Sequence, residues 1–166
     1  MKISEEILQL VPYKPGKPIS ETKREFGLSQ VYKLASNENP LGPSKKVIDA
    51  LTQALADIHR YPDPNCYELR QKMLEYYRID PGHMAFGNGS NELIDLLIRI
   101  FCEPGQSIIT GESSFIAYKV CAHAARTKDI EITLDVELRL DLKAMSEFIY
   151  ENRQTKKILL VFLPNT

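Results

Sequence analysis

The run Ile158-Leu159-Leu160-Val161-Phe162-Leu163 is apolar at every position, with no polar alternation. That is the texture of a strand buried on both faces, as in a parallel sheet flanked by helices. The preceding sequence supplies more of such a sheet. After Pro81-Gly82, strand-like runs at His83 to Phe86, Ser107 to Thr110, Ile130 to Leu134 and Lys157 to Leu163 alternate with helical segments at Asn91 to Cys102, Phe115 to Ala124 and Leu142 to Glu151. Strands separated by helices of this length imply crossover connections, so the fold class is α/β, a mostly parallel sheet with helices on both faces. Because the sequence stops three residues after its most apolar run, at Thr166, it reads as an unfinished domain.

The upstream third has a different texture. Val11 to Pro43 holds Pro12, Pro15, Gly16, Pro18, Gly27, Pro40, Gly42 and Pro43 and shows no sustained apolar period, so residues 1–44 are expected to form an extended arm. Residues 45–166 are expected to form the α/β domain. Ser44 can cap a helix in which Val47, Leu51, Leu55 and Ile58 make one apolar stripe to pack on a core. A turn, Tyr61-Pro62-Asp63-Pro64, leads to a second helix. There Asn65 and Glu68 suggest a capping box, and Leu69, Met73 and Tyr76 the buried face.

Composition narrows the function classes. With 43% hydrophobic and 26% charged residues the chain is of the ordinary globular type. Lysine and arginine total 21 against 22 acidic residues, a formal charge of -1, which offers no global field for nucleic acid or an anionic membrane. Met1 to Leu10 lacks the basic start and continuous apolar stretch of a secretory signal, and no segment approaches the roughly 20 apolar residues of a membrane-spanning helix. A cytoplasmic protein is the expectation. Cys66, Cys102 and Cys121 are widely separated and read as reduced core thiols, while His59, His83 and His123 stand alone, so no metal site is expected.

The most informative local feature is Gly87-Asn88-Gly89-Ser90-Asn91-Glu92, after a predicted strand and at the start of a nearly all-apolar helix. Two glycines permit a sharp turn and close backbone approach, and the open amides of a helix start favour an anion such as a phosphate. The same segment also suits a plain connection from strand to helix. It is neither a Walker loop nor a dinucleotide fingerprint, lacking the following lysine of one and the third glycine of the other. Glu112-Ser113-Ser114-Phe115-Ile116-Ala117-Tyr118 follows the next strand and so shares its carboxyl edge, where open α/β folds bind ligands. Phe115 could offer a flat aromatic face, although by spacing Phe115 and Tyr118 fit core positions at i and i+3. Tyr61 in its rigid turn, Tyr13 in Pro12-Tyr13-Lys14-Pro15-Gly16, and Asn37 in Ser36-Asn37-Glu38-Asn39-Pro40 each have turn formation as their simplest explanation.

Taken together and in order, these segments resemble the amino-terminal portion of histidinol-phosphate aminotransferases. The resemblance rests on Tyr-Lys-Pro-Gly-Lys-Pro at 13–18, Lys-Leu-Ala-Ser-Asn-Glu-Asn-Pro-Leu-Gly-Pro-Ser at 33–44, Arg-Tyr-Pro-Asp at 60–63, Gly-Asn-Gly-Ser-Asn-Glu at 87–92, and Phe115 with Tyr118. It implies an incomplete large domain of the fold-type I transferases that use pyridoxal 5'-phosphate, with residues 1–44 serving a small domain and a homodimer interface. It further implies cofactor binding by Ser90 and Asn91 at the phosphate, Phe115 on the ring and Tyr61 across the dimer interface, with Tyr13 and Asn37 near the substrate. Many family members carry aspartate where this chain has Asn91, but an amide can still donate to a phosphate oxygen without adding negative charge. The Schiff-base lysine of the family falls beyond Thr166, so no lysine of this sequence is nominated as catalytic.

The implied reaction moves an amino group between L-glutamate and imidazole-acetol phosphate in histidine biosynthesis. Two other members of the same fold, an aromatic amino-acid aminotransferase and a threonine-phosphate decarboxylase, carry similar amino-terminal motifs. A non-catalytic fragment acting as a binding or dimerisation module is the alternative from a different class.

Overall fold

The structure, a computed structural model, describes residues 5–8, 10, 12, 15–36, 38–152 and 158–161. The chain divides into two compact units, one of Met1–Tyr13 with Phe86–Thr166, the other of Lys14–Ala85. A short helix α1 (Glu5–Leu8) opens the first unit.

The Lys14–Ala85 unit contains a helix that apolar periodicity does not signal. Helix α2 (Ile19–Phe26) starts after Pro18 and stops at Gly27, whose φ of 65° places it in the left-handed region and whose N–H bonds the Lys23 carbonyl. None of its residues is buried, which is why the expected extended arm hides a helix here: the signal lies in its ends and not in an apolar stripe. Helix α3 (Lys45–Ala54) begins as expected, with the Ser44 hydroxyl accepting from the Val47 N–H at 3.4 Å. Its apolar stripe differs from expectation. Val47, Leu51, Leu55 and Ile58 are 48%, 62%, 61% and 72% exposed, so within this chain the stripe is not packed on a core.

Helix α4 (Tyr67–Tyr77) is capped differently from the predicted box. Cys66 occupies the cap position at φ 49°, and Asp63, not Asn65, supplies the acceptors: its two carboxylate oxygens take the N–H groups of Asn65 at 2.9 Å and Tyr67 at 2.8 Å. These bonds, Tyr67 first, hold the Asp63 carboxyl below its usual range. The predicted buried face is also open, with Leu69 and Tyr76 exposed and Met73 half-buried.

The segment expected as a strand at His83 to Phe86 joins no sheet among the described residues. Asp80 accepts from the Gly82 N–H to start a 3-10 turn over Pro81–His83. Arg70 of α4 then takes the carbonyls of Pro81 and Met84 at 2.7 and 2.8 Å and that of Asn65 at 2.7 Å. A guanidinium satisfies carbonyls that a neighbouring strand would otherwise have paired.

The other unit is the α/β layer. Helix α5 (Ser90–Phe101), strand β1 (Ser107–Gly111), helix α6 (Ala117–Ala124), strand β2 (Lys128–Ile132), helix α7 (Leu142–Asn152) and strand β3 (Ile158–Val161) follow in order. The described strands form a parallel sheet ordered β2-β1-β3. Strand β2 starts two residues earlier than expected, and the predicted ends of the last strand, Lys157 and Phe162 to Leu163, lie outside the described residues. Central β1 is buried along its whole length. Ile108 and Ile109, neighbours that point to opposite faces, are both fully inaccessible, so helices and loops cover the sheet on both sides there. On one side Ile94 and Ile98 of α5 and Cys102 just after it meet Ile108, Ala117 and Ala122 in one apolar cluster, with Tyr118, Cys121 and Ala125 packed against it.

Candidate functional site

The start of α5 is built on two glycines, Gly87 and Gly89. Gly89 caps the helix at φ 84° and ψ 173°, which only glycine adopts readily, and it has no side chain with which to cap the amides that follow. Its own N–H turns back to the Gly87 carbonyl at 2.9 Å. A Cβ on Gly87 would sit 2.8 Å from a carboxylate oxygen of Glu92 and 3.0 Å from two side-chain carbons of Leu93, so that position has no room for a side chain. Ser90 and Asn91, the first two residues of the helix, are exposed, and the first amides of an α-helix have no partner inside it. They are donors at the positive end of a helix that Ile94 and Ile98 anchor to the core.

Helix α5 runs into the amino end of β1 and α6 leaves its carboxyl end. The two helices share a buried cluster that includes Ile94 and Ala117, so their starts lie together at the carboxyl edge of the parallel sheet. At that edge β1 ends in Gly111, where a Cβ would lie 2.2 Å from Leu140. Ser113 follows at φ 58°, and the Ser114 N–H closes the turn on the Gly111 carbonyl at 3.2 Å.

This turn delivers Phe115 ahead of α6, which starts at Ala117 and not at Phe115 as expected. The Phe115 ring is 45% exposed and meets Tyr118 edge to face, centroids 6.3 Å apart at 84°. Half-buried Tyr118 belongs to the packing against the core cluster, whereas Phe115 lies outside that cluster and is exposed. Of the two roles that spacing allowed, core residue or platform, Tyr118 takes the first and Phe115 has the exposure for the second.

Tyr61 lies in the other compact unit, fully exposed beside the Asp63-fastened turn. Tyr13 and Asn37 lie outside the described residues. The residue that the motif reading passed over is Glu92, whose carboxylate reaches back to the backbone and side-chain N–H groups of Asn88. Its signal was present, since an acidic residue at the third helical position commonly bonds back to the chain before the helix.

Asp129 of β2 ties down α6 through His123 at 2.6 Å and Lys119 at 3.4 Å. Burial raises the Cys102 and Cys121 thiols, which lie in or against the core, while Cys66 shapes the turn before α4. Among the described residues no three His, Cys, Asp or Glu side chains converge as metal ligands, and no helix is long and apolar enough to cross a membrane.

Residues 29–165 match the family model described as aminotransferase class I and II. The chain belongs to this family. As a class I and II aminotransferase it is 51% identical over 165 residues to the histidinol-phosphate aminotransferase of Bdellovibrio bacteriovorus, covering 99% of this chain and 44% of that protein. To the histidinol-phosphate aminotransferase of an Anaeromyxobacter species it is 43% identical over 159 residues, with 96% and 42% covered. The chain thus spans less than half the length of these curated relatives. Among solved structures, the histidinol-phosphate aminotransferase of Sinorhizobium meliloti in complex with pyridoxal-5'-phosphate superposes with a TM-score of 0.78 at 20% identity, covering 92% of this chain and 40% of that one. The aspartate aminotransferase of Rhizobium meliloti gives 0.69 at 15% identity, with 98% and 42% covered. The α/β fold of these aminotransferases is therefore the fold of this chain.

Proposed function

We propose that the whole protein to which these residues belong is a histidinol-phosphate aminotransferase. It moves an amino group between L-glutamate and imidazole-acetol phosphate in histidine biosynthesis, with pyridoxal 5'-phosphate as cofactor. The cofactor assignment is carried by one juxtaposition: the uncapped start of α5 and the exposed ring of Phe115 at the same edge of the sheet. A doubly charged phosphate suits open amides at a helix start, and a flat pyridine ring suits a phenyl face, so the donor set fits this group. The substrate assignment is supported by 51% identity to a protein of that name.

In this reading the Ser90 and Asn91 amides bind the phosphate, and the Asn91 side chain adds a donor without a charge. Phe115 fixes the plane of the ring and excludes water from one of its faces. Tyr61 reaches the phosphate of the partner protomer in a homodimer. Tyr13 and Asn37 face the substrate, and residues 1–44 serve the small domain while residues 45–166 begin the large one. The cofactor, when bound, supplies the electron sink for removing a proton beside the amino group. The lysine that moves this proton lies beyond Thr166, and the protein works in the cytoplasm.

The test is turnover by the whole protein. Histidinol phosphate with 2-oxoglutarate is expected to be consumed in preference to phenylalanine or threonine phosphate. Preferred turnover of either competitor, or none of histidinol phosphate, would reject the substrate assignment.

A further inference from the structure

We propose that Glu92 is a positioning residue for the phosphate cup, a role that rests on the cofactor reading above and adds a residue to it. Glu92 is the third residue of α5, and one carboxylate oxygen accepts both the backbone N–H of Asn88 and, at 3.2 Å, its side-chain N–H. The same oxygen lies where a Cβ on Gly87 would come within 2.8 Å, so the carboxylate is folded beneath the turn against its backbone. Gly89, between the two, is the most easily rotated link in the segment, at φ 84°. Fastening Asn88 on one side of it to Glu92 on the other stops that rotation. The amides of Ser90 and Asn91 are then held outward before any anion arrives.

Charge decides why the latch matters. A carboxylate at a helix start is attracted to the same open amides that a phosphate would use. Bonded to Asn88, the Glu92 carboxylate is satisfied behind the turn and leaves the Ser90 and Asn91 amides to the ligand. A charge-assisted bond to a backbone amide is among the stronger hydrogen bonds, and preorganised donors lower the cost of binding.

The experiment compares the dissociation constants of pyridoxal phosphate and of pyridoxal, which lacks the phosphate, for the whole protein, followed by absorbance. The dissociation constant of pyridoxal divided by that of pyridoxal phosphate isolates the contribution of the cup. Glu92→Leu is expected to lower that ratio about tenfold, the scale of one lost charge-assisted bond, by weakening pyridoxal phosphate and leaving pyridoxal unchanged. Glu92→Gln, which keeps an acceptor for Asn88, should retain most of it. An unchanged ratio in Glu92→Leu would overturn the proposal, and a raised ratio would show Glu92 to be a competitor of the phosphate. A wild-type ratio near one would instead reject the phosphate cup itself. Glu92 is exposed, so its replacement empties no core. Should Glu92→Leu still fail to fold, Glu92→Asp keeps the charge, falls one methylene short of Asn88, and must lose part of the same ratio.

Discussion

Gly111 ends the central strand where a methyl group would collide with Leu140 at 2.2 Å and approach Ser114 and Leu134 at 3.4 and 3.5 Å. Gly111→Ala must therefore push aside the Leu140 side chain. It is expected to destabilise the whole protein by about 1–3 kcal/mol, the usual range for an overpacked site, read from the midpoint of urea unfolding. Asp63 makes a different prediction. Its carboxyl is held low by the Tyr67 and Asn65 amides, so the stabilisation is present above the ordinary aspartate range near pH 4 and is lost as pH falls through the depressed value. Asp63→Ala should thus lower the melting temperature at neutral pH, and the gap from wild type should close in acid; a gap that persists unchanged would exclude a role for the ionised form. Neither role was written in composition or period. The glycine pair at 87 and 89 was legible because its consequence is local, a turn before a helix, whereas the Gly111 restriction comes from Leu140, distant in sequence.

At the scale of elements, helices that bury a face were legible and those that do not were read by their ends or missed. Helix α5 lies within one residue of expectation because Ile94 and Ile98 anchor it to the core. Ile98 is fully inaccessible, and Ile98→Ala is expected to cost about 2–5 kcal/mol by chemical denaturation, against little for the exposed Ile100 of the same helix. An equal effect at the two positions would contradict the packing described. Helix α2, with no buried residue, could be announced only by Pro18 and Gly27. The segment His83 to Phe86, expected as a strand, instead has its Met84 carbonyl taken by Arg70, a side-chain partner that periodicity does not reveal. The glycine turn before α5 and the turn carrying Phe115 were legible as local patterns, and their gathering at one sheet edge followed from the parallel sheet that the alternation of strands and helices implied.

On the scale of the whole molecule, the exposed stripe Val47, Leu51, Leu55 and Ile58 on α3 presents contiguous apolar surface at helical spacing. Residues 1–166 expressed by themselves are expected to self-associate, seen as a rising apparent mass in light scattering; a monodisperse, cooperatively melting sample would contradict this. That surface, like the expected contribution of Tyr61 to a neighbouring protomer, concerns partners that the sequence names only through family resemblance. The central claim is that the amides opening α5 hold a phosphate whose attached ring lies on Phe115. A crystal structure of the whole protein with pyridoxal 5'-phosphate is expected to show phosphate oxygens within hydrogen-bonding distance of the Ser90 and Asn91 amides and the ring against Phe115. Cofactor density elsewhere, with the Gly87 to Glu92 turn sealed by its own side chains, would contradict it.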